Sequence, residues 1–549
     1  MNMSLPTQES LTIEFKSETS RAISNTEIVD NVVALSNTDG GDLFLGIEDD
    51  GTPTGVAHQH RNIDQLAAYL FNHTVPPIQV RPSLIQADDK TIVRISVDAS
   101  TQLICSNAGR VTHRVIKMDG TPEVVTMYPY EFVSRLSSIG QYDYSAQPAP
   151  GARLDDLDAY ARDALREQIL SSGADTSLLE LDDATFDGAL GFRTNNSQTG
   201  ESTPTITGLL MIGEQQALKR CIPTATVVFQ VMRDGAPAVD ETLQLPLTRA
   251  IPRLNELMQP WNHATERMVG MTQQDIMDYN RDALREAMLN ALCHRDYSML
   301  APVHIQLDEI GLTISSPGGF MRGIDASNLL TVTPTPRNRA LTDALKRCGY
   351  VERTGRGVDR IYAGSAATGR PFPDYSQSTN ERVVVFLRKS TPDARFMDML
   401  DQAQQRRGTR LNTEDFLVMA AIRATGQINI TEIRQATTLD LGRITAALEA
   451  LVADGTVTCD ADLYSLADSP DTAVDIVVTS NNASPSTDRD RNQILSLAKS
   501  NNGIITTRQV MELFDINYLT AYRLLKNLQD DGILTHDGKG RYSRFLLHA

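Results

Sequence analysis

At 549 residues the chain is too long for a single hydrophobic core, and roughly three to five domains are expected. Apolar residues at 41% and charged residues at 22% are a soluble globular composition, and a net charge of −18 argues against non-specific adhesion of the whole protein to nucleic acid or acidic membrane. Five scattered cysteines without a Cys-x-x-Cys pair exclude a disulfide framework or zinc ribbon and fit a reducing cytoplasm, while no signal-like N-terminus or membrane-length apolar run is found.

Leu11, Ile13 and Phe15 alternate with Thr12, Glu14 and Lys16, the period of a half-buried strand that sets Glu14 and Lys16 side by side. Residues 26–37 read as a helix offering Ile28, Val29, Val32, Val33 and Leu35 to a core. A glycine-led strand from Gly40 then closes in the Asp49-Asp50-Gly51 turn. A strand at 91–97, a basic segment RVTHRVIK at 110–117 and a helix near 130–136 follow. Arg110, His113, Arg114 and Lys117 are candidates for phosphate contact; a charged sheet edge that resists aggregation is an equal reading. Read from spacing alone, an ordinary cross-face pair for Glu14 and Lys16 and an ordinary turn at Asp49-Asp50-Gly51 are the favoured reading.

The blocks ESLTIEFK and VVALSNTDGGDLFLGIEDDGTPTGV closely resemble the Schlafen/AlbA-like domain, over residues 1–140. Schlafen nucleases cut structured RNA such as tRNA with metal-binding acidic residues. The resemblance implies Glu9, Glu14 and Asp49 as those carboxylates, with Lys16 beside them, in either a nuclease or a non-catalytic nucleic-acid platform.

Residues 141–151, QYDYSAQPAPG, read as a linker, and 152–390 as one structural unit. Helices are expected at 154–171, 178–190 and 247–258, and strands at 205–212 and 224–231. The helix at 281–297 is the most specific feature: Leu284, Met288, Ala291 and Leu292 form its apolar stripe, and Glu286 and Asn290 stand one turn apart on a neighbouring face. An amide oxygen suits a hard cation such as Mg²⁺, and a carboxylate orients or deprotonates water. Strands at 303–307 and 312–315 lead to Gly318-Gly319, and Gly355-Arg356-Gly357 precedes another helix. Glycines at such places let backbone N–H groups approach phosphates.

The segments ALREAMLNALCHRDYS, ISSPGG and YVERTGRGVDRIY resemble the Bergerat ATP-binding fold of gyrase, MutL and histidine kinases. They look more closely like the divergent ATPase-like domain of a family of bacterial transcriptional regulators. By that resemblance Glu286 positions the attacking water, Asn290 holds Mg²⁺, and Gly318, Gly319, Gly355, Arg356 and Gly357 flank ATP. The family reads adenine with an Asp in its first glycine box. Here Ser315-Ser316-Pro317-Gly318-Gly319 has none, and a hydroxyl is the weaker acceptor.

Beyond a connector at 391–411, residues 412–466 follow a winged-helix pattern of three helices and a strand pair. A linker at 467–488 is rich in Ser, Asp, Asn and Pro, and the pattern recurs at 489–549. The second copy offers Tyr518, Thr520, Arg523 and Lys526 on its third helix and Lys539 and Arg541 on its wing, all suited to DNA. The first has an acidic wing, Asp460 and Asp462, and reads as a packing or dimerisation unit.

The expectation is a multidomain α/β (α+β) chain: a Schlafen/AlbA-like domain, a Bergerat-like α/β sandwich and tandem winged helices. It would act as a cytoplasmic, homodimeric, nucleic-acid-binding regulator whose central module responds to ATP or another ligand. It would contact DNA through the second winged helix or RNA through the N-terminal domain. The alternative is a metal-dependent ribonuclease of the Schlafen type, serving phage defence.

Overall fold

The alternating segment near the N-terminus is the strand Ile13–Lys16, which pairs in parallel with Gly41–Leu45. In the computed structural model these two lie in a four-stranded sheet that continues with Lys90–Val97 and Val80–Ala87, both antiparallel. The parallel pair needs a crossover, and the helix Asn25–Asn37 supplies it, its N-terminus capped by Ser24 accepting from the Glu27 N–H. That helix buries Ile28, Val32 and Val33 against Leu43, Leu45, Val93 and Ile95 on one sheet face. Phe15, Phe44, Ile47 and Ile92 pack on the other. The basic segment forms the hairpin Thr112–Ile116 with Pro122–Thr126. Asn37 fixes this hairpin to the helix by donating to the Thr112 and Ile104 carbonyls.

The structure describes residues 5–87, 89–117, 120–195, 200–269, 272–351, 357–460 and 462–467, and beyond them 494–495, 497–499, 504–514, 525, 528, 533–537 and 544–547. It divides into two compact units, residues 1–476 and 477–549.

The centre of the first unit is a five-stranded sheet in the order Ala236–Leu243, Val227–Arg233, Val303–Leu307, Gly311–Pro317 and Arg382–Arg388. Only the pair Val227–Arg233 and Val303–Leu307 runs parallel. The helices Arg281–Cys293 and Gly357–Ala366 lie side by side, close enough that a Cβ on Gly364 would stand 2.7 Å from Ala283 Cβ. The expected strand at 205–212 is instead the helix Ile206–Ile212, buried at every position. An unbroken apolar run has no period to separate a buried strand from a buried helix. The deciding groups are local: Thr205 caps the helix by accepting from the Gly208 N–H, and Gly208 lets it close on the Phe192 carbonyl. A hairpin, Ala264–Val269 with Thr272–Met277, was not expected from the sequence.

The helix Ala394–Arg407 leads into Thr413–Thr425, Gln427–Ile428, Ile430–Thr437, Leu441–Ala453, Val457–Asp460 and Leu463–Leu466. Here Leu463–Leu466 is the central strand of three, and Leu417, Ile433, Ile444 and Leu448 fill the interior. In the second unit, Leu534–Asp537, Arg544–Leu547 and Ile504–Ile505 form a three-stranded sheet, with Val510, Leu525 and Phe545 in its core. Among the described residues, no helix is long and apolar enough to cross a membrane. The whole is a mixed α/β structure.

Candidate functional site

Asn280 caps the helix Arg281–Cys293 by accepting from the Asp282 and Ala283 N–H groups, which fixes where the inner face of that helix points. On that face Glu286 and Asn290 line a cavity of about 200 Å³ together with Ser316, Gly318, Gly319 and Gly357. Five of the sequence-predicted positions, Glu286, Asn290, Gly318, Gly319 and Gly357, are thereby brought to one place; Gly355 and Arg356 lie outside the described residues. Two of the glycines are required by close approach. A Cβ on Gly357 would stand 1.9 Å from Glu286 Oε1, and one on Gly318, whose φ is +92°, would stand 2.8 Å from Asp296 Cβ.

Ser316, within the segment that stands where the family has its first glycine box, lines the cavity. It is buried, and its hydroxyl donates to the Ala291 carbonyl at 2.7 Å, in the wall of the site. Much of the lining is apolar and aromatic, with Phe320 and Tyr375 at a centroid separation of 6.2 Å.

Several lining residues escaped the sequence reading. Arg337 is buried beside Gly318; its Nη1 is 3.5 Å from Asp296 Oδ2, and its Nη2 donates to the Gly319 carbonyl at 2.8 Å. Burial lowers the pKa of this guanidinium, and the Asp296 charge opposes that shift. Asp296 in turn accepts from Ser298, and from Ser134 on the helix Pro129–Ser138, each at 2.5 Å. Asn338 donates to the Cys293 and Arg295 carbonyls, closing the end of the Glu286 helix. Burial, with Arg337 and Lys346 nearby, pushes the His294 imidazole down to about 4. Arg337 and Asn338 lie in a Thr- and Pro-rich stretch, TPTPRN, which reads simply as loop.

The wall segment 319–337 is tied to its surroundings by two further arginines. Arg322 donates to the Ala99 and Ser100 carbonyls of the N-terminal domain. Arg443, at the start of the helix Leu441–Ala453, donates to the Leu330 carbonyl at 2.6 Å and pairs with Glu414 at 2.7 Å and Asp359 at 3.1 Å.

The resemblance to the Bergerat fold implies Mg²⁺ and ATP here, and Glu286 and Asn290 are the residues of the lining that would face the metal. Glu286 is the one acidic lining residue among the described residues, and its Oε1 is pressed against Gly357. One carboxylate and one amide oxygen would leave most of such a cation's shell to phosphate oxygens and water.

The N-terminal carboxylates are not gathered for metal. Among the described residues, no three His, Cys, Asp or Glu side chains converge on a metal position, so Glu9, Glu14 and Asp49 do not form the expected cluster. Glu14 is buried between Lys16 and Arg114. Arg114 also donates to the Ser10 and Ile13 carbonyls at 2.6 and 3.0 Å, so it is an internal strut and faces no phosphate. Glu9 accepts from the Phe15 N–H at 2.8 Å, and its pKa is raised by burial and by the Glu14 charge. Asp49 is exposed in the turn. Its neighbour Glu48 is the acid held in place, by the hydroxyls of Ser17, Thr19 and Thr54 at 2.6 to 2.8 Å, which lower its pKa. Arg110 is exposed and bonded to Asp30 at 2.6 Å, and Lys117 is exposed at the end of the hairpin strand. Tyr518, Thr520, Arg523, Lys526, Lys539 and Arg541 lie outside the described residues.

Three family models match the chain: "Schlafen, AlbA_2" over residues 9–121, "Domain of unknown function" over 135–228, and "Putative ATP-dependent DNA helicase recG C-terminal" over 301–387. No curated protein matches it. Among solved structures it is similar to the DIP2311 protein from Corynebacterium diphtheriae, at 21% identity and a TM-score of 0.49, over 83% of this chain and 92% of that one. The chain thus carries a Schlafen/AlbA-like domain and an ATPase-like domain.

Proposed function

We propose that the protein is a nucleic-acid-binding regulator whose central ATPase-like module holds a small ligand and passes its occupancy to the flanking modules. The observation that carries this reading is the state of Glu14, a carboxylate already neutralised by Lys16 and Arg114 and so unlike a metal ligand awaiting its ion. A nucleic-acid platform needs no such ion. Residues 412–466 read as a winged helix, a reading supported by their order of helix, strand, two helices and two strands with Leu463–Leu466 central. Arg443 at the head of the third helix is committed to Leu330, Asp359 and Glu414, which favours a packing role for this copy. DNA contact falls to the C-terminal residues Tyr518, Thr520, Arg523, Lys526, Lys539 and Arg541, and a homodimer would present two such surfaces to paired half-sites.

The test is incubation of the full chain with labelled duplex DNA and labelled tRNA in Mn²⁺ or Mg²⁺, with and without ATP. Retained duplex binding without cleavage, lost in an Arg523→Ala/Lys526→Ala variant, is expected. Cleavage of tRNA that is abolished by Glu48→Ala or Glu9→Ala would replace this reading with the ribonuclease one.

A further inference from the structure

We propose that the cavity takes an organic anion with an aromatic or apolar body, and that its charge is met by Lys346 and Arg337 rather than by a divalent cation. The inference rests on the reading of the cavity as a ligand site.

The walls set the body of the ligand. Ile314, Met321, Leu329 and Val385 line the cavity with Tyr375, whose ring lies near Phe320, so most of the surface offered to a ligand is hydrocarbon. The Ser316 hydroxyl directs its proton to the Ala291 carbonyl.

Charge sets the other end. Lys346, near the close of the helix Arg339–Arg347, lines the cavity half-buried, and its ammonium has no hydrogen-bond or ion-pair partner among the described residues. Arg337 is buried to within 4% of full exclusion, and its Nε has no hydrogen-bond partner. A buried donor left unmade costs stability, and an anionic oxygen arriving from the cavity is the acceptor such a group lacks. Gly318 keeps that side of the guanidinium uncovered, because a Cβ there would stand 3.3 Å from both Nε and Cζ. His294 is neutral and adds no competing charge.

The experiment uses the full-length protein and two fluorescent probes of matched shape, anionic 1-anilinonaphthalene-8-sulfonate and neutral N-phenyl-1-naphthylamine, titrated in EDTA and again in Mg²⁺, with ATP as competitor. Lys346→Gln is expected to weaken the anionic probe about tenfold, the effect of one charge-assisted contact worth ~1.4 kcal/mol, and to leave the neutral probe within about twofold. Lys346→Arg retains the anionic binding, and ATP displaces the anion in EDTA. Equal effects of Lys346→Gln on both probes, no effect on either, or displacement by ATP only when Mg²⁺ is present overturns the proposal. Val332→Trp, which narrows the cavity from its loop wall, separates the two ideas: if it changes neither probe, the ligand-site reading itself fails. Melting curves of each variant show that the fold is retained.

Discussion

Arg114 and Glu14 form a pair excluded from solvent on both sides, with side-chain exposures of 0% and 6%. The pair joins the hairpin strand Thr112–Ile116 to the first strand of the N-terminal sheet, so the hairpin and the sheet share one electrostatic anchor. Its energetic weight lies in the cost of breaking it, since either partner alone would be a buried, uncompensated charge.

Glu14→Ala is therefore expected to destabilise the chain by about 3–5 kcal/mol, because the Arg114 guanidinium keeps its burial and loses its counter-charge. Urea denaturation followed by circular dichroism checks this. An unchanged midpoint would mean that Glu14 is free for a catalytic role after all.

Gly357→Ala places a methyl group where Glu286 Oε1 already stands, 1.9 Å away. The helix Gly357–Ala366 must shift or the carboxylate must turn, at a cost of roughly 1–3 kcal/mol. Binding of the anionic probe is expected to fall with it. A variant as stable as the parent, with undiminished probe binding, would show that the two elements are not in contact in solution.

His294 is held near 4 in the folded chain against an ordinary value of 6.5. The unfolded chain takes up this proton first as pH falls, so the stability is fully present above about pH 6.5 and is lost progressively between about 6.5 and 4. The loss approaches ~1.4 kcal/mol per pH unit. His294→Asn is expected to flatten that limb of the stability curve. A wild-type curve with no slope between pH 6.5 and 4.5 would count against a buried neutral imidazole.

Arg443→Ala removes the donor to the Leu330 carbonyl and the partner of Asp359 and Glu414 in one step. The sites are only part-buried, which limits the cost to about 1–2 kcal/mol. Faster amide exchange is expected in the helices Gly357–Ala366 and Leu441–Ala453, measured by mass spectrometry. Exchange that quickens only in Leu441–Ala453 would show that the contact does not reach the cavity wall.

Local patterns were legible and long-range pairings were not. The alternation around Glu14 is the strand Ile13–Lys16, and the 3.6-residue spacing of Leu284, Met288 and Leu292 is the helix Arg281–Cys293, because each depends only on neighbours in the chain. The four-residue separation of Glu286 and Asn290 put both on one face for the same reason. By contrast, nothing near Arg114 announces Glu14, and nothing in the loop around Arg337 announces Asp296, since these partners are set by how sheets and helices close in space. The helix Ile206–Ile212 was misread for a third reason: seven buried apolar or small residues in a row carry no period at all. The tethering of Glu48 was not legible either, because a strand ending in three consecutive acids gives no hint which of them meets Ser17, Thr19 and Thr54.

Residues 319–337 are a wall with three owners. One face bounds the cavity, Arg322 fastens it to the Ala99 and Ser100 carbonyls, and Arg443 holds its Leu330 carbonyl from the other side. Any guest that moves this wall works against both fastenings, and any partner that loosens a fastening changes the work of admitting the guest. By reciprocity the two effects are equal in free energy, so grip on the wall and affinity for the guest are one quantity measured from two ends.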